Sequence, residues 1–113
     1  MIEATLISYL SGKTAAGANV FAEEPKQKPD TYIVIEKTGS STENRIETAT
    51  VAIKSFASTM LDAATLNERV KVIMDNAPEL DDVSSCRLNS DYNFTDPTSK
   101  QYRYQAVFQI THY

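Results

Sequence analysis

The chain has 113 residues, of which 15 are acidic and 11 basic, so its formal net charge is −4. This length predicts one domain, residues 1–113, and a content of 42% hydrophobic and 23% charged residues is typical of a globular protein. The acidic balance disfavours long-range attraction to nucleic acid. Because Glu3 and Ser8 interrupt the N-terminal apolar residues, we expect no signal peptide. No apolar run approaches the ~20 residues that a membrane-spanning helix needs.

The first quarter of the chain predicts one helix, one short strand and an extended connection. Apolar residues recur at helical spacing from Ile2 to Leu10, and Gly12 is a suitable helix end. Residues 20–22 (VFA) favour a short strand. Residues 23–29 contain two prolines and four charges, which is typical of an exposed, extended segment.

Two strands and a polar loop are predicted next. Residues 31–38 (TYIVIEKT) place apolar groups on both faces, so this strand should be central or covered on both sides. Residues 45–57 alternate as a long strand, with Phe56 out of phase with Val51 and Ile53. A bulge or a second contact surface would explain Phe56. Between the strands we expect a polar turn or flap made of Gly39, Ser40, Ser41, Thr42, Glu43 and Asn44.

The only long helical period lies in residues 59–77 (TMLDAATLNERVKVIMDNA). One apolar stripe is formed by Ala63, Leu66, Val70, Ile73, Met74 and Ala77. Ser58 is the expected N-cap, with Thr59 as the alternative, and Pro78 should end the helix near Ala77. The stripe predicts that this helix packs across a sheet.

The C-terminal third predicts a hairpin. Residues 83–94 and 101–113 alternate as strands, and a turn joins them through Thr95, Asp96, Pro97 and Thr98. Cys86, Leu88, Tyr92 and Phe94 share one parity on the first strand. The order is therefore α-β-β-β-α-β-β. We predict an α+β fold with a mostly antiparallel or mixed sheet of about five strands and two helices packed on it.

No residue pattern indicates catalysis, a cofactor or a metal. His112 is the only histidine and Cys86 the only cysteine, so an ordinary strand-end histidine and a small buried thiol are expected. A catalytic pair of the two would need the strand positions to meet, without an oxyanion motif to support it. The acidic residues at 79, 81 and 82 lack the spacing of a calcium loop, and no phosphate-loop motif is present. We expect a protein that is not an enzyme.

The aromatic residues of the hairpin allow two interpretations. Beside Lys100 and Arg103, they could stack on single-stranded nucleic acid, which would make the chain a small nucleic-acid-binding module. The favoured alternative is that they form core under the helix or a protein interface, because the net charge is acidic. The residues concerned are Tyr92, Phe94, Tyr102, Tyr104 and Phe108.

Three stretches together resemble a known family: residues 32–70, residues 84–97 (SSCRLNSDYNFTDP) and residues 100–110 (KQYRYQAVFQI). The resemblance is to the small tail-terminator proteins, also called tail-completion or minor capsid proteins, of long-tailed phages and prophages. It is carried by Gly39, by the sequence Phe56-Ala57-Ser58 before the helix, by residues 93–97 and by the tyrosine-rich last strand. None of these is a catalytic signature.

The resemblance implies a structural role in the virion, at the interface of head and tail, for a protein made in the host cytoplasm. Such proteins form a homo-oligomeric ring, often a hexamer, that caps the tail tube and contacts the head–tail connector. Specific nucleic-acid binding and membrane association are not expected. The segment Gly39–Asn44, the turn 95–99 and Phe56 are the residues we expect at subunit or tube contacts.

Overall fold

A computed structural model describes residues 1–98 and 101–113 of the chain. The helices are α1 (Ile2–Leu10) and α2 (Met60–Asp75), and a short 3₁₀ helix spans Ala77–Glu79. The strands are β1 (Val20–Phe21), β2 (Tyr32–Glu43), β3 (Ile46–Ala57), β4 (Val83–Asn93) and β5 (Tyr102–His112). The order α-β-β-β-α-β-β and the α+β class are confirmed.

The five strands form one mixed sheet in the order β1-β2-β3-β5-β4. β1 runs parallel to β2, and the other neighbours are antiparallel. Both helices pack on the same face, where α1 residues such as Leu6 and α2 residues such as Val70 join Ile35, Ile53 and Phe108 in one buried cluster. Neither α1 nor α2 packs on the opposite face, which we call the helix-free face.

Helix α2 follows the predicted stripe with two corrections at its ends. Its core-facing residues Ala63, Leu66, Val70, Ile73 and Met74 are buried. The cap is Thr59 and not Ser58, because the Thr59 hydroxyl oxygen accepts a hydrogen bond of 3.1 Å from the Asp62 N–H. The helix ends at Asp75, two residues earlier than expected, and Ala77 is buried in the 3₁₀ helix that contains Pro78.

The expected flap at Gly39–Asn44 is wrong, because the first five of these residues continue β2. Gly39 to Glu43 pair with Thr50 to Ile46 of β3. Asn44 and Arg45 turn the chain with φ angles of 53° and 67°, the left-handed geometry of a tight two-residue hairpin turn. We call this hairpin, residues 39–50, the arm; its residues 47–50 also pair with β5, and residues 43–46 extend beyond the last β3–β5 pair. A register shift lies in β2 between Lys37 and Gly39, whereas β3 is regular.

The predicted common parity of Cys86, Leu88, Tyr92 and Phe94 is also wrong. A register shift between Leu88 and Ser90 inserts an extra residue, Asn89, into β4. Beyond the extra residue, each side chain lies on the face opposite to the one that simple alternation along the sequence predicts. Cys86 and Leu88 therefore face α2, whereas Tyr92 and Phe94 lie on the helix-free face.

Candidate assembly surface and the helix-free face

The structure places the two predicted contact loops at opposite ends of the sheet. The arm ends at the turn Asn44–Arg45, beyond the level at which Glu47 pairs with His112. The turn 95–98 follows the other end of β4, where Asn93 pairs with Tyr104. Residues Gly39 to Arg45 are all exposed. These loops therefore cannot form a single site within the chain.

The turn 95–98 is held by side chains of its own residues. The Asp96 carboxylate accepts hydrogen bonds of 2.9 Å from the Thr98 N–H and 2.8 Å from the Thr98 hydroxyl. These bonds hold the pKa of Asp96 below its usual value, with a smaller contribution from Arg103. The Asn93 side-chain oxygen accepts in the same way from Thr95. The predicted contact at Ser99 lies outside the described residues.

Phe56 is buried inside the chain and does not need a neighbouring subunit to cover it. Its ring stacks on Tyr32 at 4.3 Å between ring centres with the planes 6° apart. Together with Val34 and the half-buried Phe21, the two rings form a second small core on the helix-free face. The second contact surface expected for Phe56 therefore exists, but it is intramolecular. The same cluster explains why β2 is apolar on both faces.

Aromatic and guanidinium groups continue this small core in a row across the sheet. The Arg103 guanidinium lies 5.5 Å from the Phe56 ring centre and 4.5 Å from that of Phe94. Phe94 in turn meets Tyr92 edge to face at 5.8 Å. Phe94 and Tyr92 remain 45% and 39% exposed, so they are not core as predicted. Among the five hairpin aromatics only Phe108 is fully buried. The register shift in β4 turns Tyr92 and Phe94 away from α2, and Tyr102 on β5 is 36% exposed.

A shallow cavity of about 340 Å³ lies beside the row, between residues 22–24 and β5. Val34 and Phe56 form its apolar floor, and Lys54, Glu36 and Arg103 line its sides. The Lys54 ammonium pairs with the Glu36 carboxylate at 2.8 Å. At the edge of this region, burial and the carboxylate of Glu24 raise the pKa of Tyr32 to about 12. No arrangement of nucleophile and base is present at this cavity in the described part of the chain.

Two long edges of the sheet have no strand beside them within residues 1–98 and 101–113. β1 pairs with β2 only at Ile33 and Val34, which leaves the outer edge of β2 open from Ile35 to Glu43. β4 pairs with β5 alone, so its whole outer edge is open. Each open edge presents backbone N–H and C=O groups that can hydrogen-bond to another strand. β2 and β4 run in opposite directions.

The two residues considered for chemistry do not form a reactive pair. Cys86 lies opposite Ile110 and His112 lies opposite Val83, and no hydrogen bond joins the cysteine to the histidine in the described residues. Burial raises the pKa of the Cys86 thiol to about 12, with a contribution from Asp75. His112 is buried, and its Nε2 lies 3.5 Å from the carboxylate of Glu47. Over residues 1–98 and 101–113, no group of three or more potential ligands could hold a metal ion.

The helices of the described segments are too short or too polar to cross a membrane. Comparisons of the sequence with models of known protein families and with curated proteins find no match.

Proposed function

We propose that this protein is a non-enzymatic structural protein of a phage virion that acts as a tail terminator. In this proposal six copies form a ring that caps the tail tube at the head–tail interface and contacts the tube protein and the head–tail connector. The ring is made in the bacterial host cytoplasm, binds no specific nucleic-acid sequence and needs no membrane or cofactor. The family resemblance of residues 32–70, 84–97 and 100–110 supports the proposal.

The observation that carries the proposal is the pair of open sheet edges with opposite strand directions. Rotation about an axis roughly parallel to the strands places β4 of one copy beside β2 of the next, with the strand directions unchanged. The two edges would then meet as antiparallel neighbours, from Ile35–Glu43 on one side to Val83–Asn93 on the other. A head-to-tail contact of this kind uses two different surfaces and can close into a ring. Closure leaves no open edge.

The arm and the turn 95–98 have separate roles in this proposal. Because they lie at opposite ends of the sheet, one faces the tail tube or a neighbouring subunit and the other faces the connector. Phe56 has no direct role, since its ring is covered within the chain.

Shortening the arm tests its role in assembly. Deleting Thr42, Glu43, Ile46 and Glu47 removes two paired positions while keeping the turn Asn44–Arg45 and the side-chain alternation. The isolated variant should stay folded, because Ile46 is exposed, the four residues lie outside the main core, and only the Glu47–His112 pair is lost from the β3–β5 ladder. In phage assembly it should give overlong tails, or heads and tails that fail to join, as seen by electron microscopy. Arg45→Gly, which keeps the arm length, is the matched control.

Blocking the β2 edge tests the subunit contact. The Ile33 N–H donates outward to Asn19, so strand alternation places the Lys37 N–H on the open edge as well. Lys37→Pro removes this donor without removing a bond to β3 and should prevent ring closure on the tail. Lys37→Ala keeps the N–H and should assemble normally. Normal virions from Lys37→Pro would refute the edge contact, and normal virions without the protein would refute the function.

A further inference from the structure

The part of the helix-free face formed by β3, β4 and β5 carries cations and no carboxylate. Strand register fixes which residues lie there. The set comprises Thr48, Thr50, Ala52, Lys54, Phe56, Ser85, Arg87, Ser90, Tyr92, Arg103, Gln105, Val107, Gln109 and Thr111. Lys54 is paired with Glu36 on β2. Neither Arg87 nor Arg103 forms an ion pair within the described residues.

The acidic residues that set the net charge lie mainly on the other side of the molecule or at its ends. α2 and the segment after it alone contribute Asp62, Glu68, Asp75, Glu79, Asp81 and Asp82. The carboxylates that line the same cavities as Arg103 belong to residues 23–24, Glu36 and Asp96. Of these, Glu24 pairs with Lys28 at 3.3 Å and Glu36 with Lys54 at 2.8 Å. The net charge of −4 therefore does not describe the electrostatic character of this face.

Two exposed aromatic rings lie on this face, and one of them contacts the Arg103 guanidinium, whose Nε–H also donates a hydrogen bond of 2.9 Å to the Phe94 carbonyl. Tyr92 and Phe94 lie on this face at 39% and 45% exposure, and Arg103 covers one side of Phe94. The Tyr92 hydroxyl accepts a hydrogen bond of 2.8 Å from the Gln105 amide, which fixes the position of the ring. Aromatic rings that are fixed in position beside cations on an exposed sheet face can stack on nucleobases, and the cations can contact phosphates.

We propose that this face binds single-stranded nucleic acid without sequence preference. Phosphates of the strand meet Arg87 and Arg103, and bases stack on Tyr92 and Phe94. A duplex keeps its bases stacked inside the helix, so it can use only the two cations. The proposal is independent of the ring, because it concerns a surface that each isolated chain already presents.

The test is fluorescence anisotropy of the isolated protein with a labelled oligothymidine of about 12 nucleotides, close to the site sizes of known single-strand binders. We expect a Kd on the order of 10–100 µM at about 50 mM salt. Two phosphate contacts predict a slope of about −1.4 for log K against log salt, so the affinity should fall about sevenfold by about 200 mM. A self-complementary duplex should bind at least fivefold more weakly.

Paired variants locate the binding surface. Phe94→Ala should weaken binding about fivefold or more by removing one stacking ring. Arg87→Ala should lower the salt slope by about 0.7. The matched controls Tyr102→Ala and Arg69→Ala, which change an exposed tyrosine on the opposite face and an arginine of α2, should leave binding unchanged. Thermal unfolding of each variant checks that it is folded.

Absence of binding at about 200 µM protein and 50 mM salt would overturn the proposal. Equal affinity for single strand and duplex would also overturn the proposal, because it would show that base stacking on the rings contributes nothing to binding. Equal effects of the test and control variants would place the contact elsewhere. None of these outcomes bears on ring formation, which is measured on assembled tails.

Discussion

The buried side-chain amide of Asn67 donates a hydrogen bond of 3.0 Å to the carboxylate of Asp91 and so ties α2 to the edge strand β4. Asn67 is 1% exposed. The Lys71 ammonium reaches the same Asp91 oxygen at 3.1 Å and Glu68 at 2.9 Å, and these two bonds raise the pKa of Lys71. β4 therefore has a polar connection to the helix in addition to its pairing with β5.

Asp91→Ala should lower the free energy of unfolding by about 1–3 kcal/mol, because it leaves a buried amide without its acceptor. Urea unfolding followed by circular dichroism measures this change. The control Glu68→Ala removes a carboxylate that is 67% exposed from the same network and should cost less than about 0.5 kcal/mol. Equal effects of the two substitutions would show that the Asn67 contact contributes nothing to stability.

Val70→Asp should destabilise the protein by several kcal/mol or prevent folding, because Val70 is fully buried between α2 and the sheet. Val72→Asp, two residues along the same helix at a site that is 55% exposed, is the matched control and should change stability little. Thermal melting of both variants makes the comparison. An unchanged melting temperature for Val70→Asp would contradict the position of the core.

Arg45→Gly should stabilise the isolated chain by about 0.5–1 kcal/mol, because Arg45 holds a φ of 67° that glycine adopts without steric cost. Unfolding by chemical denaturant measures this increase in the free energy of unfolding. Arg45→Ala keeps a Cβ at the same φ, and its stability should stay close to that of the natural chain. Destabilisation by glycine would mean that the arginine side chain holds the arm.

Cys86 should react slowly with thiol reagents in the folded protein. Its pKa of about 12 leaves ~10⁻⁴ of the thiol ionised at about pH 8, roughly a thousandfold less than an unperturbed thiol. Labelling should therefore be at least about a hundredfold faster in denaturant. Since the folded pKa is raised, this group favours folding below the unfolded pKa of 9.0, and that contribution is lost as the pH rises from about 9 to 12. Equal labelling rates in both states would contradict the burial of the thiol.

The protein should not bind duplex DNA tightly. A net charge of −4, with Arg87 and Arg103 as the only cations of the helix-free face that form no ion pair within residues 1–98 and 101–113, cannot support many phosphate contacts. Fluorescence anisotropy with a short duplex at physiological salt should give no sub-micromolar binding. Tight binding there would argue for a nucleic-acid-binding module in place of the tail terminator.

The fold could be predicted where side-chain spacing alone decides burial. The apolar stripe of α2 and the alternation of β5 predicted the buried residues of these two elements correctly, because one face of each element must be covered. The arm could not be predicted, because Asn44-Arg45 lacks the glycine that commonly marks a two-residue hairpin turn. The phase of Phe56 correctly indicated a second surface. Its partners Tyr32 and Phe21 lie at least 24 residues away in the sequence, so only the fold shows that the surface is internal.

The extra residue Asn89 gives β4 one residue more than β5 has across from it. Its removal would close the register shift and leave the pairing of Ser90 with Val107 and of Asp91 with Ala106 as it is. Tyr92 and Phe94 would stay on the helix-free face, and Asp91 would keep its place beside Asn67. Evolution can therefore shorten β4 by one codon at this point without exchanging its two surfaces, whereas the regular strand β3 has no extra residue to lose.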